Sequence, residues 1–131
     1  MKKKSLVLLL LVVTSGSLMG CAEKKTTSAP VVITAAEAKD MMDKNPGITI
    51  LDVRTASEFQ SGHIKSALLI PYDEINSKAE SMLRDKSAPI LVYCRSGRRS
   101  AIAAQALADL GYSKVYDFGG IADWPYETVT E

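Results

Sequence analysis

Cys94-Arg95-Ser96-Gly97-Arg98-Arg99-Ser100 joins a nucleophile to three of the five arginines in the chain. A cysteine that reacts must ionise, and an ionised thiol is an anion that needs positive surroundings. The apolar run at residues 90–93 reads as a buried strand, while Ala103, Ala106, Leu107 and Leu110 recur at helical spacing with Gly111 as the cap. The segment therefore links a strand end to the first turn of a helix, where unpaired amide hydrogens and the macrodipole favour an anion. Gly97 permits the positive φ that a tight ring of inward amides requires. Guanidinium charge cannot be lost by deprotonation. A free cysteine has a pKa of about 8.5, and such a setting lowers it by about a unit or more. Cys94 is thus expected to be a reactive thiolate at neutral pH. The competing reading is inert packing, the common fate of a free cysteine at a strand end. The arginine cluster behind Cys94 has no packing purpose and favours chemistry.

The elements that must position this segment follow from local signals. Thr34-Ala35-Ala36-Glu37 has capping-box spacing and predicts a helix to about Lys44, stopped by Asn45-Pro46-Gly47. Residues 48–51 form a continuous apolar strand candidate. Thr55-Ala56-Ser57-Glu58 repeats the capping box before a short helix ended by Gly62. Residues 67–70 predict a short strand stopped by Pro71. Residues 73–85 predict a polar helix with Ile75, Ala79, Met82 and Leu83 on one face. Val115 and Tyr116 predict a last strand, Gly119-Gly120 a turn, and residues 121–126 a closing helical piece with Trp124 in the core. Strands alternating with helices argue for a parallel sheet covered on both faces, with ligands bound beyond the carboxyl ends of the strands.

The length of 131 residues allows one compact domain plus a short appendage. Residues 1–5 are basic, residues 6–13 are an unbroken apolar run, and small and polar residues lead to Leu18-Met19-Gly20-Cys21, the order of a secretory signal. The apolar run is well short of the roughly 20 residues that a spanning helix needs. The first twenty residues hold three lysines and no acid, so their removal takes the formal charge from +1 to −2. A domain of that charge lacks the basic footprint of a nucleic-acid binder. The polar stretch Glu23-Lys24-Lys25-Thr26-Thr27-Ser28-Ala29-Pro30 reads as a tether, and the folded domain is expected to begin near Val31.

Two segments of the chain resemble known families. Leu18-Met19-Gly20-Cys21 resembles the lipobox of bacterial lipoproteins, which implies cleavage of residues 1–20 and acylation of Cys21. A thioether-linked diacylglycerol supplies the two chains that stable anchoring requires. It further implies an extracytoplasmic, membrane-anchored location, with residues 21–30 as the tether. The lone thiol left at Cys94 then needs a reason to exist in a compartment that favours disulfides.

From Val31 to the carboxyl terminus the order Leu51-Asp52-Val53-Arg54, Glu58-Phe59, Gly62-His63-Ile64, Ala67, Ile70-Pro71, Tyr93 to Ser100, Gly119-Gly120 and Trp124 resembles a rhodanese domain. The resemblance implies a three-layer α/β domain over residues 31–131, with a mostly parallel sheet of about five strands and helices on both faces. It implies a sulfurtransferase that moves sulfane sulfur from thiosulfate, or a similar anionic donor, to cyanide or a thiol through a persulfide on Cys94. The backbone from Arg95 to Ser100, including Ser96 and Gly97, would hold the persulfide, while Arg95, Arg98 and Arg99 attract the donor. Arg98 or Arg99 is expected to contact it before Arg95. Neither metal nor cofactor is implied, and a monomer is expected.

Phosphatases and arsenate reductases of the same fold resemble the chain too, but their loop places five residues between cysteine and arginine. Here Arg99 comes one position early and Ser100 stands in the arginine's place, giving a narrower cradle suited to a terminal sulfur. A persulfide carrier serving a partner protein is the other alternative. His63, the single histidine, is expected to hydrogen-bond a loop, because an ionised thiol needs no base. Arg54 is expected to pair with an acid and fix the loops, and Glu58 to serve its capping box.

Overall fold

The computed structural model describes residues 28–131, together with Gly16 and Gly20. The basic and apolar leader, Cys21 and most of the tether lie outside the described residues. In chain order the elements are β1 (Val31–Val32), α1 (Ala35–Lys44), β2 (Thr49–Asp52), α2 (Ala56–Ser61), β3 (Leu68–Leu69), a 3-10 turn (Tyr72–Glu74), α3 (Ile75–Met82), β4 (Ile90–Cys94), α4 (Arg98–Asp109), β5 (Val115–Gly120) and a last 3-10 turn (Ile121–Asp123). Among the described residues no helix is long and apolar enough to cross a membrane.

The strands form one five-stranded sheet in the order β1-β5-β4-β2-β3, and every pairing is parallel. β4 lies at the centre and is buried along its whole length, as a strand covered on both faces must be. Its alternation divides the core. Ile90, Val92 and Cys94 pack with Leu51, Ile75, Ala79, Ala103 and Leu107 on the face covered by α3 and α4. Leu91 and Tyr93 pack with Ala38, Ile50, Ile64, Phe118 and Trp124 on the face covered by α1. Strand periodicity thus sends the Cys94 side chain to the α4 side. Val31 is level with Tyr116, itself opposite Leu91, whereas Cys94 pairs with Gly120. The chain therefore enters the sheet at the end remote from the thiol.

Both capping boxes form as expected. Thr34 caps α1 with Glu37 reaching back, and Thr55 caps α2 with Glu58 doing the same. Three elements differ from the sequence reading. The helix expected over residues 73–85 is a 3-10 turn followed by α3, which stops at Met82. Leu83 leaves the helix to bury its side chain, and its carbonyl accepts the Tyr112 hydroxyl at 2.6 Å. Met82 consequently faces solvent at 44% exposure and not the core. β5 runs to Gly120 instead of ending near Tyr116, because Asp117 is buried within it and accepts the Gly119 amide at 3.0 Å. The closing helix reduces to one turn, since Pro125 forces Trp124 out of helical conformation, at φ −83° and ψ 109°.

Truncating Leu83 to alanine should cost about 2–4 kcal/mol, as for a buried leucine. Truncating Met82 should cost less than about 1 kcal/mol, as for an exposed side chain. Urea titration of the two variants measures the difference.

Candidate active site

Cys94 closes β4 and is 1% exposed, so the sulfur sits at the base of a loop and not on its rim. Arg95, Ser96 and Gly97 carry the chain back over it to α4. Gly97 reverses the direction in left-handed backbone, φ +107°, and its amide donates to Sγ at 3.0 Å. A side chain at this φ would be strained. No side chain caps the start of α4, which leaves its first amides turned towards the sulfur side.

The loop is clamped from β5. A Cβ on Gly120 would run into the Arg95 carbonyl and come within 2.7 Å of Ser96 Cα, so only glycine fits. The Ala122 amide donates to the Arg95 carbonyl at 3.2 Å. Ser100, fully buried, donates its hydroxyl to the Gly97 carbonyl at 3.0 Å, with the Gly119 carbonyl 3.4 Å away. The Gly119-Gly120 pair is therefore structural support for the loop. Gly119-Gly120, expected as a turn, lies at the end of β5, where a glycine in a strand signals close backbone approach.

Burial pushes the Cys94 thiol up, but the hydroxyl and amide of Ser100 and the amides of Gly97 and Ser96 outweigh it, and the thiol is held below its ordinary value. The Ser100 proton can serve either the Gly97 carbonyl or an ionised sulfur, and turning it to the sulfur favours the thiolate. Backbone and hydroxyl groups, not the three arginines, are the principal positive influence.

The arginines have separate positions. Arg99 gives both terminal nitrogens to Glu58, at 2.8 and 2.9 Å. Its hydrogen bonds, working against burial and alongside those from Thr55, hold the Glu58 carboxyl down at about 2. Glu58 thus does more than cap α2, a role hidden from local sequence because the two residues are 41 positions apart. Arg95 and Arg98 are exposed, and Arg95 lines a shallow recess of about 480 Å³ beside the loop with Arg54, Ser57, Glu58, Ser61, Ile121 and Ala122. Of the arginines expected at the donor, Arg99 is engaged by Glu58, whereas Arg98 and Arg95 are exposed.

Behind the recess, Arg54 is 6% exposed and Asp52 fully buried. Arg54 binds both Asp52 oxygens, the closest at 2.6 Å, and donates to the Gly62 carbonyl at 2.7 Å. Burial opposes the Arg54 charge, but Asp52 outweighs it and raises the guanidinium pKa. His63 stacks on Phe59 at 3.7 Å, with Nδ1 2.9 Å from the Phe59 carbonyl, while its backbone pairs with Val129. It fastens the last turn of α2 and the carboxyl-terminal segment to each other.

Ser100→Ala should raise the apparent pKa of Cys94 alkylation above the wild-type value, read from iodoacetamide rates against pH; an unchanged profile would show that the hydroxyl contributes nothing. Because the Glu58 pKa is lowered from 4.5 to about 2, its contribution to stability is complete above pH 4.5 and is lost as pH falls towards 2. Glu58→Gln should lack this part of the acid transition, as followed by urea midpoints across that window.

The rhodanese-like domain model matches residues 34–126. The thiosulfate sulfurtransferase PspE of Escherichia coli is 34% identical over 73 residues, covering 56% of this chain and 70% of that protein. The thiosulfate sulfurtransferase GlpE of Coxiella burnetii is 34% identical over 93 residues, covering 70% of this chain and 84% of that protein. Among solved structures, a rhodanese with anions from E. coli superposes with a TM-score of 0.61 at 30% identity, over 65% of this chain and all of that one. The Alr3790 protein of Anabaena gives a TM-score of 0.70 at 31% identity, over 76% of this chain and 82% of that one. A parallel five-stranded sheet, a cysteine at the end of its central strand and a match across nearly the whole described domain agree: the chain belongs to the rhodanese-like domain family.

Proposed function

We propose that this chain is a thiosulfate-type sulfurtransferase that carries sulfane sulfur as a persulfide on Cys94. The observation that carries the reading is a buried thiol of lowered pKa, with the Gly97 amide directed at its sulfur and an uncapped helix start above it. The names of PspE and GlpE support the same reaction class.

In the first half-reaction the Cys94 thiolate attacks the sulfane sulfur of thiosulfate. A sulfur–sulfur bond forms to Cys94 as the one to sulfite breaks, and sulfite leaves with the bonding electron pair. The enzyme is left as a persulfide anion, so charge is conserved. In the second, cyanide attacks the terminal sulfur, departs as thiocyanate and restores the thiolate. No proton need move in either step, which accords with a loop that holds anions by amides and presents no histidine to the sulfur. Arg95 at the recess draws in the donor, and Arg98 adds exposed positive charge at the start of α4.

The leader and the residues around Cys21 support a second part of the proposal: residues 1–20 are removed, Cys21 is acylated, and the domain is held at the extracytoplasmic side of a bacterial membrane. Replacement of Cys21 by serine should release the protein from the membrane fraction.

Intact-protein mass spectrometry after thiosulfate exposure tests the chemistry. The wild type should gain one sulfur atom, removable by cyanide, and Cys94→Ser should gain none. A wild type that stays unmodified while folded would sink the reading.

A further inference from the structure

The recess beside the thiol loop contains a carboxylate where an anion must approach. Arg54 on its wall is neutralised by Asp52, and Arg99 is neutralised by Glu58, which itself lines the recess. Arg95 is left as the exposed cation there, outside the ion pairs formed among the described residues. Arg99 is close enough to the sulfur for the thiolate charge to raise its pKa further, so the Arg99–Glu58 pair lies within electrostatic reach of the reacting atoms. Its geometry is bidentate and about a quarter exposed, the arrangement in which an arginine–carboxylate pair is most fixed.

We propose that Glu58 tunes the charge of the preferred sulfur donor: by pairing with Arg99 it cancels one positive charge beside the recess and so weakens the pull on donors with two negative charges relative to donors with one. The inference rests on the sulfur-transfer reading of the same site. Cancelling one positive charge near the entry costs a dianion twice the attraction that it costs a monoanion, and Arg99, held at both terminal nitrogens, has none left to offer the donor. Glu58 acts as a specificity-determining residue and takes no part in bond making.

The sequence supplies a clean variant. Glutamine at the third helical position can maintain a capping box, so Glu58→Gln removes the charge while keeping the device that starts α2. The quantity to measure is kcat/KM for thiosulfate, a dianion, divided by kcat/KM for methanethiosulfonate, a monoanion, with cyanide as acceptor. Comparing this ratio between variants cancels the intrinsic reactivity of the donors. Glu58→Gln should raise it by roughly threefold to tenfold, the effect of about one unit charge at a partly solvated site. Arg99→Gln, which leaves Glu58 unpaired, should lower it. A ratio unmoved by Glu58→Gln, or moved in the same direction by both variants, would overturn the proposal while leaving sulfur transfer intact. Failure of both donors to load Cys94 in the wild type would overturn both.

Discussion

The hydrogen bond from the Gly97 amide to the Cys94 sulfur depends on the chain folding back on itself within three residues, and most of the domain contributes to that reversal. β4 must be central and buried so that its last side chain points beneath α4. Gly97 must adopt a backbone conformation that other residues avoid. Gly120 must lack a side chain so that β5 can press its backbone against Arg95 and Ser96. The sheet order, with β5 beside β4, brings that second glycine into place.

Burial and charge act against each other throughout the site. Burial of Cys94, 1% exposed, favours the protonated thiol, and dipoles fixed by the fold outweigh it and lower the thiol pKa. The guanidinium groups divide among other tasks. Arg54 joins the end of β2 to the end of α2 through Asp52 and Gly62, and Arg99 joins α2 to α4 through Glu58. Buried pairs such as Asp52–Arg54 contribute less net stability than their Coulomb attraction suggests, because both ions must shed water. Their effect here is geometric: they hold the walls around the thiol at fixed separation.

Much of this was legible in sequence because the signals were local. Both capping boxes, the apolar run of β4 and the glycine within the cysteine loop are properties of a few neighbouring residues. What escaped was non-local. Glu58 meets Arg99 only after the sheet forms, and the end of β5 has no apolar alternation because Asp117, Gly119 and Gly120 are there to serve the adjoining loop. Met82 followed helical periodicity, yet Tyr112 captures the next carbonyl and the helix ends before that periodicity applies.

The entry of the chain at Val31 gives the domain a polarity. The thiol lies three residues beyond Leu91, which is level with Val31 across β5, an offset of about 10 Å along the strands. Whatever precedes the domain departs from the far pole. An attachment ahead of the domain, as proposed for Cys21, would thus join it at the pole opposite the thiol. Attachment at that pole leaves the thiol loop unobstructed by the preceding chain, open to solutes and to partners that reach the opposite end of the sheet.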